Sequence, residues 1–260
     1  MERRELLAAL AASAVFRSDA DPATVTKTYL ELKTWHLHST HEDQPARVAD
    51  YLENGLSPAL ARAGAKLAGA FSNVIGPGSP SYVTLTEYAS FADIEQVITK
   101  LVADEPYQRE LAKLGSGAGL PFVRVDSSLL RSFDRVPRAV IPDSAERRAP
   151  RIFELRTYES QTFTTLARKI AMFNTAEIGI FERVGMRPVF FGETIIGSNQ
   201  PNLTYMLSFD DLAARDKLWH DFGADADWKK LSSQPQLKDP EIVANISNVI
   251  LRPLTFSAIR

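Results

Sequence analysis

The sequence predicts an α+β fold of tandem duplicated ferredoxin-like units, each running strand–helix–strand–strand–helix–strand, with two sheets packed face to face. Three observations predict it. First, "IGPGSPSYVTLTEY" (75–88) aligns with "IGSNQPNLTYMLSF" (196–209), and "ADEPYQREL" (103–111) with "ADADWKKL" (224–231). Second, the spacing between the copies is constant: Gly64 and Gly185, Tyr107 and Trp228, and Arg131 and Arg252 are all 121 positions apart, the signature of an internal repeat. Third, each half shows the same succession of period-two and helical patterning.

The elements follow in order. Residues 1–25 precede the first repeat. "MERRELLAALAASAVF" has an Arg3-Arg4 pair, an apolar run from Leu6 and an Ala12-Ser13-Ala14 triplet. That resembles a short twin-arginine export signal with its cleavage site; the other reading is a plain helix of Ala and Leu. Localisation follows the choice, exported or cytoplasmic. The first unit spans 26–134, a linker rich in proline and charge spans 135–150, and the second unit spans 151–260.

Each unit opens on an extended segment, "TKTYLELKTWHLH" (26–38) and "PRIFELRTYES" (150–160). A helix follows. In the first unit Thr40 and Asp43 form a capping-box-like start, Val48, Tyr51, Leu52 and Leu56 share a face, Ser57-Pro58 restarts the helix and Gly64 ends it. In the second unit Phe163, Leu166, Ile170, Phe173, Glu177, Ile180 and Val184 form the stripe, and Gly185 ends it. Two strands joined by a Gly/Pro/Ser or Asn/Pro turn come next. A second helix begins near Ser90 and near Asp210, and a last strand closes each unit.

Composition bounds the function. The 260 residues are 45% hydrophobic and 24% charged, ordinary for a soluble globular chain. A formal net charge of −2 offers no basic field for nucleic acid or anionic lipid. With no cysteine, disulfides, thiolate nucleophiles and Cys-based metal sites are excluded. No stretch reaches the roughly 18 apolar residues of a membrane span.

"FELRTYES", "MFNTAEIGIFERVGMRPVFFGETIIG", "NLTYMLSFDD" and "ADADWKKL" closely resemble the NIPSNAP family in its two-domain bacterial form, over roughly residues 26–260. The second unit matches best; the first has "ELKTW", with Lys33 and Trp35, where "ELRTY" is expected. The resemblance implies a dimeric α+β barrel and no settled activity, since relatives in the superfamily include cofactor-independent monooxygenases, haem-binding enzymes and proteins of unknown role. It admits a homo-oligomer as partner.

Alternation puts Glu154, Arg156 and Tyr158 on one face of their strand and Phe153, Leu155 and Thr157 on the other. The expectation is that the apolar face meets the helices and the Glu-Arg-Tyr face looks into the space between the sheets, where Arg156 and Arg252 pair with Glu154 or Glu193. Glu31, Lys33 and Trp35 occupy that face in the first unit, less suited to bidentate anion binding, so the site is expected on the second unit. Asn174 and Glu177 are helix neighbours. Glu177 interrupts an apolar stripe, where desolvation would raise its pKa and make it a candidate proton acceptor. For the network the alternative is an internal salt-bridge set that fixes packing. For Glu177 it is capping a backbone group or reaching a solvent edge. His36, His38 and His41 cluster in "HLHSTHE" as weak metal candidates, against a solvated strand end.

Three functional readings follow. The first is a small-molecule site in the cleft between the sheets, binding or slowly transforming a hydrophobic, partly polar ligand. The second is a non-enzymatic interaction or assembly protein. The third is a haem- or metal-dependent enzyme using the histidine cluster; the first two call for no cofactor.

Overall fold

In a computed structural model of the chain, residues 26–38, 43–141 and 151–260 are described. The candidate export signal, Thr40, His41 and the second part of the linker lie outside them.

The first half carries β1 (Tyr29–His36), α1 (Gln44–Asp50), α2 (Ser57–Ala63), β2 (Lys66–Ile75), β3 (Ser81–Tyr88), α3 (Phe91–Ala103), α4 (Glu105–Ser116) and β4 (Arg124–Ser132). The second half repeats the order with β5 (Ile152–Glu159), α5 (Phe163–Met172), α6 (Ile178–Val184), β6 (Arg187–Ile196), β7 (Asn202–Phe209), α7 (Leu212–Ala224), α8 (Ala226–Ser232) and β8 (Asn245–Pro253), with a short α9 (Asp239–Ile242) before the last strand.

Local chemistry sets the element ends. Asp43 caps α1 by accepting from the Ala46 amide. Wider π-helical turns at Tyr51–Leu56 and Phe173–Glu177 carry α1 into α2 and α5 into α6. Gly64 and Gly185 end these helices at φ 97° and 93°, conformations a β-carbon disfavours. The second helix of each half breaks at Asp104 and Asp225, which cap α4 and α8. Arg62 and Arg183 brace those caps with two-pronged contacts, at 2.7 and 2.9 Å to Asp104 and at 2.8 Å to both Asp225 oxygens. In the second half the cap that starts α7 is Asp211 rather than Asp210.

All eight strands form one closed antiparallel barrel in the order β1-β3-β2-β8-β5-β7-β6-β4, with β4 returning to β1. The halves meet twice, at β2–β8 and at β4–β6. Closure removes every sheet edge. The barrel interior is apolar and drawn from both halves: Leu30, Phe71, Leu85, Leu130, Phe153, Leu155, Phe190, Met206 and Leu251 form one buried cluster. Two further cores lie between sheet and helices, around Trp35, Leu52 and Leu60 in the first half and around Phe173, Phe181, Phe191 and Tyr205 in the second.

The expected orientation of β5 is therefore reversed. Phe153 and Leu155 point into the barrel, whereas Tyr158 packs with Phe173 and Phe181 beneath the helices. Both faces of β5 are covered, so its greasier face fills the barrel interior and its polar face takes partners from the helices. The start of the expected linker is also packed: Val136 joins the second-half core, and the Val140 amide donates to the Val189 carbonyl at 2.8 Å.

Candidate functional site

Glu154 sits mid-strand, paired with Leu207 on β7 and Ile250 on β8, and is fully buried. A buried carboxylate survives only if its lone pairs are filled. Arg156 Nη1, Arg215 Nη2 and Asn248 Nδ2 donate to Oε1 at 2.8, 2.7 and 2.8 Å. Arg215 Nε and Trp219 Nε1 donate to Oε2 at 2.9 and 2.8 Å. Burial pushes the Glu154 carboxyl up, but the bonds from Arg215, Asn248 and Trp219 and the charge of Arg156 outweigh it and hold it down at about 2.

Arg156 extends the network. Its guanidinium lies 4.6 Å from the Trp219 ring centre, a cation–π contact. Nη2 reaches the Tyr158 hydroxyl at 3.3 Å, and the Tyr205 hydroxyl donates to Tyr158 at 2.9 Å. Burial pushes the Tyr205 hydroxyl well up. Beside it, Lys169 and Glu177 form a buried ion pair at 2.9 Å. Lys169 Nζ also lies 4.8 Å from the Phe173 ring centre. Burial raises the Glu177 carboxyl against the pull of Lys169. Burial pushes the Lys169 ammonium down, but the charge and hydrogen bond of Glu177 prevail and raise it.

The first half places Glu31 at the register position of Glu154, opposite Thr86 on β3. Its partners are fewer: Lys33 at 2.9 Å, Tyr88 Oη at 3.0 Å and Ser127 Oγ at 3.0 Å. Burial, with Glu31 adding to it, pushes the Tyr88 hydroxyl up. Ile94 and Ile98 of α3 stand where α7 has Arg215 and Trp219. Isoleucines leave the space over the carboxylate open, and a cavity of about 130 Å³ lies there, lined by Glu31, Lys33, Trp35, Tyr51, Ile98 and Tyr107 among others. The Tyr51 and Tyr107 hydroxyls share a 2.8 Å hydrogen bond, and Trp35 Nε1 donates to Thr84 Oγ1 at 3.2 Å.

The remaining candidates are dispersed. Arg252 is exposed and outside the Glu154 network. Glu193 pairs with Arg131 at 2.6 Å across the β4–β6 seam, not with Arg156 or Arg252. Asn174 Oδ1 accepts from the Arg135 amide at 3.1 Å, fixing the segment after β4. His36 Nε2 meets Asp126 at 2.7 Å, and Arg124 stands 3.4 Å from its Nδ1. His38 is exposed, and its backbone amide donates to Gln44 Oε1 at 2.7 Å. No group of three metal-ligating side chains occurs among the described residues, and no described helix is long and apolar enough to cross a membrane. A larger groove of about 760 Å³ runs beside residues 135–140 and the start of β6; there Arg135 pairs with Glu182, Arg138 with Glu87 and Arg187 with Asp210.

Sequence reasoning missed Arg215, Trp219, Asn248 and Lys169. A signal existed for three of them. Arg215 and Trp219 are four apart on one helix face, and Lys169, Phe173 and Glu177 recur at the same interval.

Comparison with known proteins gives a consistent placement. The NIPSNAP family model matches residues 30–128 and 153–258. A monooxygenase-like protein of Lactobacillus acidophilus NCFM superposes with a TM-score of 0.58 at 10% identity, covering 87% of this chain and 94% of its own. Another of Fusobacterium nucleatum gives 0.56 at 7% identity, covering 88% and 94%. An uncharacterized NIPSNAP-like domain protein of Burkholderia xenovorans is 24% identical over 41% of this chain and 88% of its own, with a TM-score of 0.37. At identities of 10% and 7% the first two show the fold alone. No curated protein matches the chain.

Proposed function

The chain belongs to the NIPSNAP family, and on that premise we propose that it binds a small, partly polar ligand in its first half, between the β1–β3 strands and helices α2, α3 and α4. One observation carries the proposal: equivalent positions are open over Glu31 and packed shut over Glu154. Arg215, Trp219 and Asn248 saturate Glu154, while Ile94, Ile98 and Ser127 leave Glu31 beside a cavity of about 130 Å³. A pocket with an apolar wall and a few convergent polar groups is the usual form of a small-molecule site. The ligand site thus moves from the space between the sheets, which the apolar cluster occupies, to the helix side of one half.

The proposal has an architectural part. The halves are read as tandem ferredoxin-like copies, 26–134 and 151–260, joined by 135–150, so that one chain closes a barrel that the dimeric α+β type builds from two. Duplication frees one copy to specialise in packing. Glu154, Arg156 and Tyr158 are assigned that structural role, and Glu31 and Lys33 the ligand-facing one.

The test is to fill the pocket with the other half's side chain. Native mass spectrometry of freshly purified wild-type protein and of Ile98→Trp should show a co-purifying small molecule on the first and none on the second, with both folded. A molecule retained at full occupancy by folded Ile98→Trp would place binding elsewhere and defeat the proposal. A second reading, an assembly protein with no ligand, is favoured by the saturated second half and predicts no bound molecule on either.

A further inference from the structure

We infer that the first-half pocket selects a neutral single-ring compound bearing a hydroxyl group, a phenol, held through that hydroxyl by Glu31 and Lys33; this rests on the pocket being a ligand site. The argument is an inventory of unused hydrogen-bonding capacity. Glu31 Oε1 already accepts from Ser127 and from Lys33, and among the described residues Oε2 accepts only from Tyr88. A carboxylate oxygen has room for about two donors, so Oε2 keeps one acceptor site. Lys33 Nζ has three donors and spends one on Glu31, at 2.9 Å. A spare acceptor and spare donors therefore belong to two ion-paired residues that both line the pocket. The group that satisfies both at one atom is a hydroxyl, which donates to Glu31 Oε2 while accepting from Lys33 Nζ.

Charge and size narrow the class. A carboxylate placed here would face Glu31, and an ammonium would face Lys33; the pair presents no net charge, so a neutral ligand is favoured over either ion. The cavity of about 130 Å³ is comparable to the roughly 150 Å³ apolar cavity that holds one benzene, which admits one ring and not two. The walls suit a ring: Trp35 and Tyr51 stand edge to face with centroids 5.9 Å apart, with Leu56 and Val97 beside them. Ile98, 56% exposed, forms the rim, so a ring substituent can point out past it. The second half has no such vacancy, because Trp219 takes the equivalent acceptor and Arg215 the donor role.

The experiment is calorimetric or ligand-observed NMR titration of the full chain at neutral pH with phenol, toluene, benzoate and benzylammonium. The inference expects phenol to bind at least about ten-fold tighter than toluene, since a site built to bond a hydroxyl disfavours the analogue that lacks it, with benzoate and benzylammonium no tighter than toluene. Lys33→Met should erase the phenol–toluene difference and leave toluene unchanged, and Ile98→Trp should abolish binding of both. Equal affinity for phenol and toluene, or tightest binding of either ion, overturns the phenol assignment while leaving the pocket as a ligand site. Failure of all four to bind, or phenol binding undiminished in Ile98→Trp, overturns the pocket as well.

Discussion

Glu154 and Arg215 form a two-pronged ion pair between strand and helix, Nε to Oε2 at 2.9 Å and Nη2 to Oε1 at 2.7 Å. It is the main tie between β5 and α7, and it explains why a strand can bury a carboxylate with no exposed surface. Trp219 and Asn248 complete the shell, leaving Glu154 without a lone pair for a ligand. Under the proposed assignment, this saturated network serves packing.

Removing the carboxylate should therefore cost more than removing one of its donors. Glu154→Leu leaves the Arg156 guanidinium with no carboxylate, only the Tyr158 hydroxyl at 3.3 Å and the Trp219 ring at 4.6 Å, and loss of one member of a buried pair costs about 3–5 kcal/mol. Arg156→Leu leaves Glu154 with Arg215, Trp219 and Asn248 and should cost less. Urea unfolding of the two variants measures the order; Arg156→Leu as the worse of the two would contradict it.

The same carboxylate makes the fold acid-sensitive. Its pKa is about 2 in the folded protein against 4.5 for the free group. A depressed folded value means the unfolded chain binds the proton first, so the stabilisation is present above about pH 4.5 and is lost as pH falls towards 2. The difference corresponds to roughly 3 kcal/mol at 1.36 kcal/mol per unit. Unfolding free energies at pH 6, 4, 3 and 2 should fall across that window, and Glu154→Gln, less stable at pH 6, should show a shallower fall.

Lys169 and Glu177 occupy the positions that Val48 and Leu56 hold in the first half, whose core there is apolar. Lys169→Val leaves Glu177 without its ion-pair partner, and Glu177→Leu leaves Lys169 with only the more distant Asp239 carboxylate at 4.0 Å; each should destabilise by about 3–5 kcal/mol. The double change restores the first half's solution and should recover most of that loss. A double-mutant cycle reads the coupling directly; additive losses would mean the two charges do not depend on each other.

Much of the fold was legible because it is written twice. Gly64 with Gly185, and Ser90 as the cap of α3, fell where helix-ending and helix-starting chemistry placed them. The facing of β5 was not legible. Period two fixes that Glu154, Arg156 and Tyr158 share a side, but not which side, when both faces are covered. The rule that polar residues avoid helices failed because α7 supplies its own polar side chains, Arg215 and Trp219, to meet them. Arg252 and Glu193 were misplaced for a related reason: pairing depends on which strands close the barrel, and the β4–β6 seam gave Glu193 to Arg131. The pocket over Glu31 was hidden because it arises from what α3 lacks, and an isoleucine reads as core in any sequence.

That absence can be exchanged between the halves, and the two exchanges should not mirror each other. Trp219→Ile deletes a half-buried aromatic that packs on the second-half core and contacts Phe181 and Phe222 at 5.8 and 5.7 Å, and it removes a donor from Glu154. Large-to-small changes of this kind cost about 3–5 kcal/mol through the cavity they leave, and the unmet lone pair adds to it. Ile98→Trp places the same ring into space already present, over a carboxylate with an open acceptor site. Overpacking costs of about 1–3 kcal/mol arise where no room exists; here room exists, and Ile98 is 56% exposed before the change. The stability of Ile98→Trp should stay within about 1 kcal/mol of wild type, while Trp219→Ile falls by several. Paired thermal and urea unfolding curves decide it. A large loss in Ile98→Trp would show that the cavity over Glu31 is too tightly framed to accept a ring.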